Sequence, residues 1–174
     1  MEKIWRKHYP PGVPAESDGN EYESLRDIFE ESVSKYASRP AFTCMGKSIT
    51  FTELDTLSAA FGAWLQGIGG GKGTRVALMM PNILQYPVCL FGTLRAGATV
   101  VNVNPLYTAR ELEHQLVDSG AEVIVVLENF AHTLAEVLGR TKVKHVIVTS
   151  MGELLGAKGA MLLHRNIVAN VLQA

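Results

Sequence analysis

The chain has 174 residues, of which 47% are apolar and 19% charged, and 16 Lys+Arg against 17 Asp+Glu leave a formal net charge of −1. This composition is globular and excludes a disordered chain, and the length suits one compact domain around one core. A charge this close to zero leaves no electrostatic footprint for nucleic acid and no basic block to anchor a bilayer surface, so any ligand must be met by a local site.

In chain order, residues 1–21 read as an extended N-terminal arm. Met1 to Lys7 lack the apolar stretch of a signal peptide, and residues 8–20, HYPPGVPAESDGN, are rich in Pro, Gly and polar residues. From Tyr22 to Tyr36 the spacing of Leu25, Ile28, Phe29 and Val33 predicts a helix, which Arg39-Pro40 ends because the residue before proline is pushed out of the α region. Residues 41–45 and 48–50 flank Gly46-Lys47 as a short hairpin. Thr50-Phe51-Thr52-Glu53 has the form of a capping box, opening a helix with Leu54, Leu57, Phe61, Leu65 and Ile68 on one stripe.

A regular alternation follows. Strands are predicted at 75–80, 98–103, 122–127 and 145–149, and helices at 84–95, 108–117 and 130–138. The strands are nearly unbroken β-branched runs, as expected where helices cover both faces, so the fold class is α/β: a doubly wound parallel sheet with flanking helices. Right-handed crossovers are expected at each step. The longest apolar run, Ile83 to Leu94, is interrupted by Gln85 and Pro87 and is shorter than the about 20 residues of a bilayer span. Cys44 and Cys89 form no CxxC pair and read as reduced, buried thiols. Together these features predict a cytoplasmic protein.

Residues 67–73, GIGGGKG, superficially resemble a phosphate loop, but such a loop follows a strand and opens a helix, whereas this run follows a helix and leads into a strand. It reads as a helix end and connector, which weakens a dinucleotide (NAD) reading. The histidines at 8, 114, 132, 145 and 164 have no metal-ligand spacing, and no metal site is predicted. Glu111, Glu113 and Asp118, with Arg110 and His114, read as a solvated helix face. The segment Asn102 to Thr108 lies at the carboxyl end of a strand, where open α/β sheets bind ligands, and ends on a second capping box, Thr108 to Glu111. Binding site and structural turn both remain open for it. No catalytic residue can be assigned on spacing alone.

The string from Pro81 to Val126, PNILQYPVCLFGTLRAGATVVNVNPLYTARELEHQLVDSGAEVIVV, closely resembles the N-terminal subdomain of long-chain fatty-acid–CoA ligases, members of the adenylate-forming superfamily. EKIWRKHYPPGVPAE at the start, TFTELD and NFAHTL match bacterial members as well, and the resemblance runs from Glu2 to about Leu155. It implies that residues 22–155 are the N-terminal α/β subdomain of an AMP-binding domain, using ATP, Mg²⁺ and coenzyme A to convert a long-chain fatty acid to its CoA thioester through an acyl-adenylate. Peripheral membrane contact, pairing of copies through the arm, and no nucleic-acid partner complete the expectation.

The chain departs from the family pattern near its end. The resemblance implies a Gly/Thr/Ser-rich phosphate loop ending in Lys-Gly before a helix that begins near His-Arg-Asn. Lys158 to Ile167, KGAMLLHRNI, matches the end of that loop, yet Met151 to Ala157 before it resembles a much earlier segment. Residues 156–174 therefore read as a junction plus a loop remnant, and the resemblance, which implies a similar Ala-Lys-Gly at both places in the family, suggests an internal deletion between them. Lys158 is the one cofactor-binding residue the resemblance transfers, with an ordinary solvated lysine as the alternative. The expectation is a ligase fragment that is inactive alone. A non-catalytic module pairing with a full-length ligase is the rival reading.

Overall fold

The computed structural model describes residues 4–14, 16 and 22–156. Two α-helices and a hairpin precede the sheet. Helix α1 (Leu25–Tyr36) starts at Ser24, whose hydroxyl accepts from the Asp27 N–H, and is followed by a hairpin of β1 (Pro40–Cys44) and β2 (Lys47–Thr50). Helix α2 (Phe51–Gly67) opens on the predicted capping box: the Glu53 carboxylate accepts from the Thr50 N–H at 2.7 Å while the Thr50 hydroxyl accepts from the Glu53 N–H at 3.2 Å.

The remaining elements alternate: β3 (Arg75–Met79), α3 (Gln85–Arg95), β4 (Thr99–Asn102), α4 (Ala109–Ser119), β5 (Val123–Leu127), α5 (Ala131–Val137) and β6 (His145–Thr149). The four strands β3 to β6 form one parallel sheet in the order β4-β3-β5-β6. Alternate residues of β3 divide the core in two. Val76 and Leu78 join Phe61 and Leu65 of α2, Cys89 of α3 and Ala96 just past its end on one face, whereas Ala77 and Met79 meet Leu112 and Leu116 of α4 and Leu134 and Val137 of α5 on the other. Helices on both faces make the sheet doubly wound, as the β-branched runs predict. A third cluster, Phe29, Ile49, Leu54 and Leu84, ties α1 and the hairpin to the ends of α2 and α3.

Several expectations need correction in detail. The arm is not extended throughout, since Ile4–His8 wind into a 3-10 helix. The hairpin turns at Met45-Gly46, both with positive φ (49° and 78°), because a two-residue link needs that backbone hand to match the twist of its strands. On α1 only Phe29 is buried, and Leu25 and Ile28 face solvent. On α2 the buried stripe is Leu54, Ser58, Phe61, Gly62 and Leu65, with Leu57 half-buried and Ile68, at the helix end, packing partly buried against the first core cluster. Strand β4 is not fully buried, because β5 pairs with the far side of β3 and leaves β4 at the edge. Among the described residues no helix is long and apolar enough to cross a membrane.

Candidate functional site

In a sheet of this order the chain moves from β3 to β4 in one direction and then back past β3 to β5, so the connections after β3 and β5 leave toward opposite faces. The crevice between their carboxyl ends is the topological switch point, where ligands of open α/β sheets bind. The register pairs Met79 with Val126 and Leu78 with both Asn102 and Val125. Pro81-Asn82, the segment from Asn102 to Thr108, and Glu128-Asn129 therefore converge on one edge of the sheet. Residues 67–73 end α2 and precede β3, which puts the glycine run at the opposite, amino edge.

The segment from Asn102 to Thr108 is held by its own polar groups. Tyr86 Oη donates to Asn102 Oδ1 at 2.7 Å, and Gln115 Nε2 donates to the Asn102 carbonyl at 2.8 Å. The Asn104 side chain accepts from the Leu106 N–H at 3.0 Å, an Asx turn. Thr108 then caps α4, its hydroxyl accepting from the Glu111 N–H at 3.4 Å and its N–H donating to the Glu111 carboxylate at 2.9 Å. Both asparagines are thus engaged in building the turn. Tyr107 is half-buried against the α4/α5 core, and Leu106 is left at 78% exposure.

The acidic residues of α4 are likewise structural. Hydrogen bonds from the Thr108 N–H and hydroxyl hold the Glu111 carboxyl below the usual carboxylate range. Glu113 accepts from Arg140 Nη2 at 2.7 Å, and that bond lowers its pKa. Of the histidines, His8, His114 and His132 are exposed, and His145 lies edge-on to Trp64 at 6.4 Å. His164 and Lys158 lie outside the described residues, as does the junction beyond Gly156.

Two polar links at this edge are absent from the motif reading. Gln85, the first residue of α3, donates from Nε2 to the Ser150 carbonyl at 2.7 Å, and the Thr149 hydroxyl donates to the Glu153 carboxylate. Beside them Cys89 is fully enclosed. Burial, reinforced by the charge of Glu153, pushes its thiol up to about 12, so it stays protonated and unreactive near neutral pH. The first link follows no local motif, since its partners are 65 residues apart.

Among the described residues no cluster of His, Cys, Asp or Glu is arranged to hold a metal ion. Among the described residues, the Asn102 and Asn104 side chains at the carboxyl edge are already spent on the turn, and the glycine-rich run lies at the opposite edge of the sheet. The described residues therefore do not by themselves fit MgATP, and no chemical step is derived through it.

The family described as "AMP-binding enzyme" matches residues 29–157. A long-chain-fatty-acid–CoA ligase of Escherichia coli O157:H7 is 59% identical over 164 residues, an alignment spanning 93% of this chain and 29% of the relative. Among solved structures, the anthranilate CoA ligase AuaEII in complex with anthranoyl-AMP superposes with a TM-score of 0.70 at 26% identity, covering 73% of this chain and 25% of that one. A long-chain-fatty-acid-CoA ligase from Archaeoglobus fulgidus superposes with a TM-score of 0.67 at 28% identity, covering 76% and 29%.

Proposed function

Because the chain belongs to the AMP-binding enzyme family, we propose that it represents the N-terminal scaffold of a long-chain fatty-acid–CoA ligase. The observation that carries this reading is the 59% identity over 164 residues to a ligase of that name, of whose length the chain spans 29%. The enzyme's reaction would take ATP, Mg²⁺, a long-chain fatty acid and coenzyme A, with the fatty acid first activated as its adenylate. The part supplied here is the doubly wound sheet whose carboxyl edge, at the ends of β3 and β5, would form one wall of the nucleotide site. Lys158 is the residue proposed to face the phosphates when the rest of such a loop is present.

The 174-residue chain is expected to make no acyl-adenylate, since holding reacting groups in line can supply up to about 7–11 kcal/mol of barrier lowering and the described residues supply no phosphate cradle. The check is fatty-acid-dependent release of AMP from ATP, measured beside Lys158→Ala. Release above that variant would overturn the expectation, and equal background in both would support it.

The reading also includes peripheral contact of the arm with a bilayer. Exposed Ile4, Trp5, Tyr9 and Val13 accompany Arg6 and Lys7 there, and Arg6 is itself paired with Glu16. Co-sedimentation with anionic phospholipid vesicles should weaken in Trp5→Ala. Equal binding by the two forms, or none by either, would remove the arm from the proposal.

A further inference from the structure

The turn by which the chain leaves the sheet is anchored on two sides. Leu154 and Leu155 pack with Leu84 in the third apolar cluster, while the next residue, Gln85, reaches the Ser150 carbonyl from within α3. The same carbonyl accepts from the Glu153 N–H at 3.4 Å, and the Leu155 N–H donates to the Gly152 carbonyl at 3.1 Å. The orientation of the Gln85 amide is dictated by its partner, because turning it over would set one oxygen against another.

In that orientation Gln85, only 7% exposed, leaves Oε1 buried with no partner among the described residues. Orphaning a buried acceptor offsets what a single neutral hydrogen bond contributes. For packing alone, an unbranched apolar side chain of the same length would serve as well or better. What the amide adds is direction, since it fixes one carbonyl at one point.

We propose that Gln85 is a positioning residue that clamps the exit of β6 to the start of α3 and fixes the turn of residues 150–156 at the carboxyl edge of the sheet. The proposal stands apart from the ligase reading, because it concerns the hold on residues 150–156 and not nucleotide chemistry.

The test is amide hydrogen exchange in the full chain, with the melting temperature recorded in parallel. In Gln85→Met the melting temperature should stay equal or rise, while protection at Glu153 and Leu155 falls about fivefold, the worth of one net hydrogen bond. A second variant separates the clamp from mere space-filling. In Gln85→Glu the protonated acid can donate to the Ser150 carbonyl, whereas the ionised form, facing that oxygen, cannot. The titratable groups of this region are Cys89, one helical turn along α3, and Glu153, whose charge acts on that thiol. Protection at Glu153 and Leu155 relative to the wild type should therefore return on acidification in Gln85→Glu and in no other form. Unchanged protection in Gln85→Met, a loss shared equally by the whole sheet, or a Gln85→Glu variant insensitive to pH would each overturn the proposal.

Discussion

On one face of the sheet, α3 approaches α2 so closely that backbone meets backbone; on the other, α4 and α5 meet through side chains and a surface ion pair. The close contact runs through Gly92, where an added Cβ would lie 2.7 Å from the Ser58 carbonyl oxygen and from the Phe61 ring, and Gly62, whose Cβ would lie 3.0 Å from the Gly92 oxygen. One turn further along, Arg95 Nη1 donates to Asp55 Oδ1 at 2.7 Å and to Ser58 Oγ and the Asp55 carbonyl at 3.0 Å, and its guanidinium lies over the Phe29 ring. The α4/α5 side has no such seam. Its surface link is half-buried Glu113 with exposed Arg140, and ion pairs open to solvent contribute little. The difference teaches that equal burial of the two faces of β3 conceals unequal tolerance. A dense contact stores its stability in shape, whereas a looser one stores it in area.

The largest expected effect tests this directly. Gly92→Ala should destabilise the chain by about 3 kcal/mol, the upper end of what overpacking costs, because the obstructing atoms are backbone and a ring anchored in the core. Gly139, beside α5, has nothing within 4 Å of a new Cβ, and Gly139→Ala should be neutral or raise stability by about 0.5 kcal/mol through the unfolded chain. Denaturant midpoints of the two variants provide the measurement. Similar losses in both would erase the distinction between the faces.

A smaller effect should be shared by the two faces. The capping boxes of α2 and α4 are built from the same pair of residue types, so Thr50→Ala and Thr108→Ala should each cost about 1 kcal/mol. A much larger loss at Thr50 would mean that the seam amplifies local damage, and the comparison would have to be redrawn.

The smallest expected effect is in pH. Bonds from Thr50 and Thr108 lower the pKa of Glu53 and Glu111 in the folded state. Their contribution is therefore present above the unfolded carboxylate value, about 4.3, and is lost as pH falls through the depressed folded values. Glu53→Gln and Glu111→Gln should each flatten the acid limb of the stability profile. Profiles parallel to the wild type would show that neither box is linked to protonation.

The legible parts of the fold share a physical origin. Both boxes could be read because an N-cap and its third residue are joined by bonds spanning three positions, and the sheet because strands buried on both faces must be apolar at every residue. The turn at Met45-Gly46 was misplaced by one position, since Gly46 alone could serve either register and the pairing of Phe42 with Ile49 and Thr43 with Ser48 decides it. At the candidate site, residues 102–108 could be located at a strand end from sequence, but the engagement of Asn102 with Tyr86 depends on α3 lying beside β4, which no local pattern states.

The sequence by itself determined the α/β class, the order of the sheet's strands and helices, the two capping-box helix starts and the family resemblance, because each rests on local periodicity, on bonds within one turn, or on a long specific string. Only the tertiary structure decided that β5 lies beside β3 and leaves β4 at the edge, that Gly62 and Gly92 form the closest seam, and that Gln85 holds Ser150. Those outcomes join residues far apart in the chain, and they are chosen by how surfaces fit once the elements exist.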